Sequence, residues 1–294
     1  GTTPLWEERG TYANPRLSPD GKRLSLTVLR NNNWDIWVYD IERGVSTRLT
    51  FEESSETEQI WSPDGEYLVF SSDRDGADSL YRKRSDGSGE LERLTESQQA
   101  QWASSWSPDG RFISYMTSTT ALDLWVLPLE GDQKPELFLS TPFAESDADF
   151  SPDGRWLTYA SNESGRLEIY VRPFPPGGGK WQVSDSGGGY PRWSGDGREL
   201  FYRTDDGIMV ASVEATGATF RAGKPRQLLQ GSFRGGTNGV ALAGNTFADY
   251  EVAPDGQRFV MFPSGEDSGQ AEHPHVTLVT HWFDELRRTF AGGN

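Results

Sequence analysis

The chain has 294 residues, of which 34% are hydrophobic and 12% aromatic, a composition that can bury a large core and excludes a disordered or fibrous polymer. Its 28 Lys and Arg residues against 44 Asp and Glu residues give a formal net charge of -16, which disfavours nucleic acids and anionic membrane surfaces as partners. The absence of cysteine excludes disulfides and thiolate metal sites.

The N-terminal segment 1–4 lacks the charged and apolar regions of a signal peptide, and the sequence begins at Gly1 without Met. We therefore interpret the chain as a mature or excised fragment. No stretch approaches the roughly 18 to 20 consecutive apolar residues of a membrane-spanning helix, so direct membrane insertion is not expected.

One four-residue string recurs and organises the whole sequence. Ser-Pro-Asp-Gly begins at Ser18, Ser62, Ser107 and Ser151, and variants of it begin at Ser194 and Ala253. The six aspartates are separated by 44, 45, 44, 43 and 59 residues, a period typical of four strands with their turns. The repeats predict an all-β, six-bladed β-propeller with four antiparallel strands per blade, in a single domain over 1–294.

Each string has the chemistry of a tight hairpin turn. Proline presets φ, aspartate can bond to its own backbone, and glycine accepts positive φ without a Cβ clash. A structural role is therefore predicted for the six aspartates. In the second repeat, the strands around the turn are expected at 59–61, 67–71, 79–83 and 91–95.

A large apolar residue precedes each turn, and we expect these residues to close the core around the axis. They are Leu17, Trp61, Trp106, Phe150, Trp193 and Val252. The last blade is expected to take its third strand from 275–280 and its fourth from 4–7, because an open propeller would expose strand edges. Residues 282–288 are predicted to form a short closing helix, and a closed ring of this kind is expected to be monomeric.

Several segments resemble TolB-like propellers with Pro-Asp-Gly-type, WD-like repeats, in particular those in the C-terminal part of bacterial Ser/Thr protein kinases. The segments that carry the resemblance lie at 71–76, 93–95, 161–165, 170–175 and 196–202. The resemblance implies a propeller fold, an extracytoplasmic location in the periplasm or cell envelope, and an upstream kinase or membrane-anchor domain outside this sequence. The chain itself carries no kinase signature.

No concentrated catalytic constellation is present. The sequence lacks a Gly-x-Ser-x-Gly elbow, and its three histidines, His273, His275 and His281, lie near the C-terminus. They are interpreted as loop and edge-strand residues, with a zinc site as the alternative. The acidic segment 73–78 is interpreted as a hairpin turn, with a calcium loop as the alternative. No metal and no cofactor are predicted.

The residues four and two places before the first residue of each turn string should share one face of the first strand. We expect these pairs to line the central channel of the propeller. The pairs are Asn14 and Arg16, Glu58 and Ile60, Ala103 and Ser105, Asp147 and Asp149, Tyr190 and Arg192, and Asp249 and Glu251. The five acids and two arginines among them suit a cationic or zwitterionic group, the carboxylates pairing with an amine and an arginine holding a carboxylate. The alternative is an internal salt-bridge network with ordered water.

The connection from Gly231 to Ala248 accounts for the long last spacing and is typical of a functional loop. Phe233 and Arg234 are its best candidates for contacting a partner; an unstructured insert is the alternative. We predict a non-catalytic sensor or scaffold propeller that recognises a peptide, a protein or a small envelope ligand at its axial face. The alternatives are a hydrolase or lyase that uses Asp147, Asp149 and Glu251, and a purely structural module.

Overall fold

The structure is a computed structural model that describes residues 2–6, 10–118, 121–231, 248, 250–262 and 276–279, the first and last of these ranges by their backbone only. Within these ranges the chain is all-β and contains no helix, so none is long and apolar enough to cross a membrane. The predicted helix at 282–288, the three histidines, Asp249, Phe233 and Arg234 lie outside the described residues.

The first thirteen strands of the described chain are β1 (Thr2–Trp6), β2 (Thr11–Leu17), β3 (Arg23–Arg30), β4 (Asn33–Asp40), β5 (Val45–Arg48), β6 (Glu56–Trp61), β7 (Tyr67–Ser72), β8 (Ser79–Arg84), β9 (Glu92–Arg93), β10 (Gln101–Trp106), β11 (Phe112–Ser118), β12 (Leu122–Pro128) and β13 (Glu136–Leu139). The remaining strands are β14 (Glu145–Phe150), β15 (Trp156–Ser161), β16 (Glu168–Pro173), β17 (Trp181–Gln182), β18 (Gly189–Trp193), β19 (Glu199–Thr204), β20 (Gly207–Thr216), β21 (Thr219–Ala222), β22 (Arg226–Gln230), β23 (Tyr250–Val252), β24 (Phe259–Met261) and β25 (Val276–Val279).

These strands form six antiparallel sheets in chain order. Sheet 1 contains β2 to β5, sheet 2 contains β6 to β9, sheet 3 contains β10 to β13, sheet 4 contains β14 to β17, sheet 5 contains β18 to β22, and sheet 6 contains β23, β24, β25 and β1. In sheet 6, β25 pairs with β24 and β1 pairs with β25, which is the strand pairing predicted for the two chain ends.

Sheet 5 departs from the expected four strands. Its third strand, β20, is ten residues long; β22 pairs with the first part of β20, and β21 pairs with the second part as an extra hairpin. Phe220 anchors this hairpin, because its ring lies 5.3 Å from that of Trp156 and 5.7 Å from that of Trp181. The β20–β21 hairpin therefore accounts for part of the 59-residue spacing between the last two turn aspartates, which we assigned to the 231–248 connection.

The repeated string forms the turn between the first two strands of each sheet. In sheet 2, the Ser62 hydroxyl donates to Asp64 Oδ1 at 2.6 Å and accepts the Tyr67 backbone N–H at 2.9 Å. Asp64 Oδ1 also accepts the N–H of Glu66, and Gly65 has a φ of 71°, in the left-handed region that favours glycine. These hydrogen bonds lower the pKa of Asp64, which supports the predicted structural role.

The apolar core is divided into six clusters, each between two consecutive sheets. The cluster between sheets 6 and 1, for example, packs Val260 and Phe262 against Leu24 and Leu26. The large residues that precede the turns lie in or against six different clusters. The expectation that they close one core around an axis was wrong, because stacked sheets bury their faces against their neighbours.

Candidate functional site

The first strand of sheets 1 to 5 carries a β-bulge at the same place. In sheet 2, Thr57 pairs with Ser71 and Ile60 pairs with Val69, so two residues oppose Phe70 alone. The bulge places a non-glycine residue in the left-handed region in four of these strands: Asn14 (φ 49°), Glu58 (φ 52°), Asp147 (φ 55°) and Tyr190 (φ 54°). Such residues are uncommon and cost free energy, and they cluster at functional sites.

The bulge corrects one step of the sequence argument. Strict alternation was expected to place both members of each counted pair on one strand face. The extra residue interrupts that alternation between Glu58 and Ile60 and at the same point in sheets 1, 3, 4 and 5. Ile60 accordingly packs into the core between sheets 2 and 3, whereas Glu58 faces the charged groups of other sheets.

Two arginines from sheets 1 and 5 share one carboxylate from sheet 6. Arg16 Nη1 lies 2.9 Å from Glu251 Oε2, and Arg192 Nε lies 3.4 Å from the same oxygen. The side chain of Arg192 is 5% exposed and that of Glu251 is 14% exposed. Burial opposes the charged form of Arg192, but Glu251 and Asp149 outweigh it and raise the pKa of the guanidinium. The three groups therefore form a charged, largely dry ion-pair triad.

Glu58 and Asp147 extend this triad from sheets 2 and 4. Burial raises the pKa of Glu58 to about 7, with Asp147 contributing in the same direction and Arg16 and Arg192 opposing. Burial also raises the pKa of Asp147, whose Oδ2 accepts the Ser146 hydroxyl at 2.9 Å. Among the described residues, neither carboxylate forms an ion pair within 4.0 Å.

Asp149 is held in place by the adjacent sheet. Its Oδ2 accepts the backbone N–H of Trp193 at 3.1 Å, and its carbonyl accepts the Trp193 indole N–H at 3.2 Å. Burial raises the pKa of this carboxyl, although Arg192 opposes the shift. Trp61 makes the matching indole bond to the carbonyl of Arg16 at 2.9 Å. The tryptophans before the turns thus fix the backbone of two charged residues.

Asn14 is fully buried beside the Glu58 carboxyl. Its backbone N–H donates to the Ala248 carbonyl at 3.0 Å, and its carbonyl accepts from the Gln59 amide. In contrast, neither Oδ1 nor Nδ2 of its side chain has a hydrogen-bond partner of normal geometry among the described residues. Gln59, which accepts from the Thr27 hydroxyl at 2.7 Å, was missed by the sequence argument; its signal is an amide inside a strand next to Glu58.

The structure therefore assembles seven of the counted residues, from five sheets. They are Asn14, Arg16, Glu58, Asp147, Asp149, Arg192 and Glu251, here called the central cluster. Tyr190 contributes its backbone N–H to Asp147, but its ring packs in the core between sheets 5 and 6.

The central cluster has four carboxyl groups and two guanidinium groups, so its formal charge is negative when all are ionised. A calcium ion is coordinated by six to eight oxygen atoms. Within the described ranges, no group of three His, Cys, Asp or Glu side chains is placed to hold a metal ion. The segment 73–78 forms the turn between β7 and β8, and its Asp73 accepts the backbone N–H of Ser55.

Comparison with known proteins supports the fold. Residues 3–124 match the model of the TolB beta propeller domain. A 71-residue stretch is 42% identical to an uncharacterized protein of Agrobacterium fabrum and covers 24% of each chain. An 84-residue stretch is 34% identical to an uncharacterized peptidase of Bacillus subtilis and covers 26% of this chain and 13% of the relative. The matches thus span about a quarter or less of these curated relatives.

Solved structures agree over longer stretches. A putative TolB from Agrobacterium tumefaciens superimposes with a TM-score of 0.62 at 20% identity, over 74% of this chain and 82% of the other. TolB from Acinetobacter baumannii superimposes with a TM-score of 0.61 at 15% identity, over 92% of this chain and 63% of the other. An oligogalacturonate lyase in complex with manganese superimposes with a TM-score of 0.63 at 11% identity, over 95% of this chain and 93% of the other. At these identities the likeness shows the fold alone. The match of residues 3–124 to the TolB beta propeller domain agrees with this shared fold.

Proposed function

We propose that the six sheets are the blades of one closed propeller and that the central cluster lines its axial channel. Contacts between first strands support this arrangement: β2 contacts β6, β6 contacts β10, β10 contacts β14, β14 contacts β18, β18 contacts β23, and β23 contacts β2. The Arg16–Glu251 ion pair joins the first sheet to the last. A closed ring also leaves no open sheet edge at the junction of the chain ends.

The function that this geometry supports best is non-catalytic recognition of a peptide, a protein or a small ligand at the axial face. The observation that carries the proposal is the central cluster itself, in which Glu58 and Asp147 are half-buried carboxyl groups without an ion-pair partner among the described residues. Their strands are tied to neighbouring sheets, and rigid, partly dehydrated charges are suited to specific binding. The resemblance to TolB-like propellers favours an extracytoplasmic location.

Catalysis by channel carboxylates is the rival proposal. Structural neighbours include an oligogalacturonate lyase and a putative gluconolactonase. In this chain, however, Glu251 is paired with two arginines and Asp149 accepts a backbone N–H, so both carboxylates are held by contacts within the protein. Burial raises the pKa of Glu58 to about 7, a value that suits proton transfer near neutral pH.

The proposal is tested with the purified chain and a variant carrying Glu58→Gln and Asp147→Asn. Amines, amino acids, peptides, sugar acids and an envelope-protein extract are screened by thermal shift and by capture on the immobilised chain. A matched control carries Glu90→Gln and Asp132→Asn, two exposed acids outside the central cluster. We expect at least one ligand or partner to be lost with the channel variant and kept by the control.

Two outcomes would contradict non-catalytic recognition. One is that every ligand and partner binds the channel variant and the control equally, which would favour a structural module. The other is turnover of a lactone, an ester or a uronate that disappears in Asp149→Asn while the melting temperature is unchanged, which would establish the enzyme.

A further inference from the structure

We propose that the free edge of β20 is a second binding site, which takes an extended peptide segment as an added strand beside residues 214–216. The peptide carries a basic side chain across from Glu214 and an apolar one across from Ala215. No residue of the central cluster lines this site, so the inference goes beyond the recognition proposed for the channel.

The second half of β20 has a free edge because it extends past its first partner. Regular pairing with β19 ends at Ser212, and a backbone hydrogen bond from the Val213 N–H to the Arg198 carbonyl, at 2.7 Å, follows. β20 then continues over 214–216 with β21 on its other side. Since the N–H and C=O groups of alternate strand residues point to the same edge, those of Ala215 point away from β21. In the described ranges no strand pairs with them.

A cavity of about 680 Å³ lies along this edge. Its walls are β20 over 212–216, the turn strings of sheets 4 and 5, and the side chains of Trp156 and Trp193. A volume of this size lies within the range of ligand-binding pockets. The cavity therefore has room for a short peptide segment beside the backbone groups of Ala215.

The hairpin that carries the edge is anchored. The ring of Phe220 lies 5.3 Å from that of Trp156 and 6.2 Å from that of Trp193. At the tip of the hairpin, Arg155 Nη1 lies 3.5 Å from the carbonyl oxygen of Gly217. Because these contacts hold the hairpin in place before a partner arrives, binding costs less conformational entropy than it would on a loose segment.

The polar groups of the site match a peptide backbone. Ala215 offers one donor and one acceptor at the free edge, which the C=O and N–H of a single peptide residue satisfy together. Trp156 is 2% exposed, and its indole N–H has no hydrogen-bond partner among the described residues. The indole of Trp193, by contrast, donates to the Asp149 carbonyl. A buried donor without a partner is costly, and a peptide carbonyl beside Trp156 supplies an acceptor.

The charges along the edge favour a basic peptide. Two acids of the cavity wall already have a neighbouring cation: Asp153 lies 2.7 Å from Arg155, and Asp196 lies 4.0 Å from Arg198. Glu214 also lines the cavity and is exposed, and it forms no ion pair with any described residue. In an antiparallel pair, directly opposite side chains lie on one face, so a lysine or arginine across from Glu214 pairs with it.

The neighbouring position of the peptide faces the other way. Its side chain lies across from Ala215, on the face that packs against the apolar cluster of Trp156 and Trp193. An apolar side chain is favoured there because it covers the aromatic wall of the cavity. In antiparallel pairing the peptide therefore reads, from its N-terminal side, an apolar residue followed by a basic one.

The test uses the peptide acetyl-Ser-Thr-Val-Lys-Thr-Ser-amide, a relative with glutamate in place of lysine, and a relative methylated on the valine amide nitrogen. Binding to the purified chain is measured by titration calorimetry, and its position by amide NMR. We expect the Kd to rise at least about tenfold on methylation, which removes the donor to Ala215, and at least about threefold with glutamate. The largest NMR shifts should fall at 213–216, and hydrogen exchange of the Ala215 amide should slow.

Two variants separate the site from a general effect on the fold. Glu214→Lys should reverse the preference between the lysine and glutamate peptides, whereas Glu90→Lys, which changes an exposed acid between β8 and β9, should leave it unchanged. Ala215→Pro removes the N–H at the free edge and should weaken the binding of both peptides. Proline is tolerated where a strand N–H does not face another strand, and an unchanged melting temperature would verify that the variant folds.

Equal binding of the methylated peptide, an unchanged preference in Glu214→Lys, or an absence of saturable binding would each overturn the edge site. Shifts centred on Arg16 and Glu58 would place the peptide at the central cluster instead, which would also overturn it while agreeing with recognition in the channel.

Discussion

Acidic side chains lie in two regions of the molecule, the turns of the repeats and the central cluster, and the two sets behave in opposite ways. The turn aspartate Asp64 is exposed and accepts hydrogen bonds from the Ser62 hydroxyl and from the backbone N–H of Glu66, which lower the pKa of its carboxyl group. The carboxyl groups of the central cluster are withdrawn from water, and burial raises the pKa of Glu58, Asp147 and Asp149.

The difference shows that repetition alone does not reveal function. An aspartate in a turn finds its donors within five residues, so it stabilises the hairpin that it belongs to. A carboxylate in the central cluster depends on arginines from distant parts of the chain, as in the Arg16–Glu251 pair, 235 residues apart. The first arrangement is local and complete, whereas the second leaves Glu58 and Asp147 without an ion-pair partner among the described residues.

Replacing Arg192 should have the largest effect, because it breaks the central cluster. Arg192→Met would leave Glu251 with one guanidinium group and Asp149 without its main counter-charge, so we expect a loss of about 3–5 kcal/mol in the free energy of unfolding by urea. Arg198→Met is the control, since that side chain is 83% exposed and 4.0 Å from Asp196; its cost should stay below about 1 kcal/mol. Similar losses in the two variants would show that the triad is not a buried ion-pair system.

The pH dependence of stability should separate the two regions by sign. The pKa of Glu58 is raised from 4.5 to about 7 in the folded chain, so the unfolded chain loses its proton first and Glu58 destabilises the fold as pH rises from about 4.5 to about 7. Relative to Glu58→Gln, the wild type should lose up to about 3 kcal/mol in free energy of unfolding between these two pH values. The loss should be smaller if water near the carboxylate screens its charge.

Asp64 provides the opposite sign in the same series of urea titrations. Its lowered pKa means that its contribution to stability is present above the ordinary value of 3.8 and is lost as pH falls through the folded-state pKa. The free energy of unfolding of the wild type, compared with that of Asp64→Asn, should therefore increase as pH rises. Equal slopes for the Glu58 and Asp64 variants would contradict the distinction between the regions.

The smallest effects concern the turns. Ser62→Ala removes a hydroxyl that donates to Asp64 and accepts from the Tyr67 backbone, and we expect a cost of about 1–2 kcal/mol in thermal or urea unfolding. Sheet 6 has Ala253 at the equivalent position, so Ala253→Ser should gain about 0.5–1 kcal/mol there. A stabilising Ser62→Ala, or a destabilising Ala253→Ser, would indicate that the serine is not part of the turn's stabilisation.

Much of the fold could be predicted because its signals are local. The Ser-Pro-Asp-Gly strings specify their own turns through proline φ, the serine and aspartate hydrogen bonds and glycine, and they therefore mark the start of every sheet. The strand assignments around Ser62 agree with β6, β7, β8 and β9 to within a few residues. The pairing of β1 with β25 could be predicted because an unpaired edge is unfavourable.

The central cluster could be predicted only in part. Counting back from the turns identified Arg16, Glu58, Asp147, Asp149, Arg192 and Glu251, because these residues lie either two or four places before the turn in their strands. The β-bulges, the buried Asn14 amide and the sharing of Glu251 by two arginines could not be predicted, since a bulge has no clear signature in a single strand. The hairpin of β20 and β21 could not be predicted either, because a long loop accounts equally well for the 59-residue spacing between Asp196 and Asp255.

The sequence by itself determined the repeat, the turns, the all-β class and the residue types available near the centre, because each depends on interactions within a few residues. Only the tertiary structure decided which charges are paired and which are not. That outcome depends on strands from opposite ends of the chain meeting at distances of about 3 Å, and on how much water burial removes from each carboxyl group.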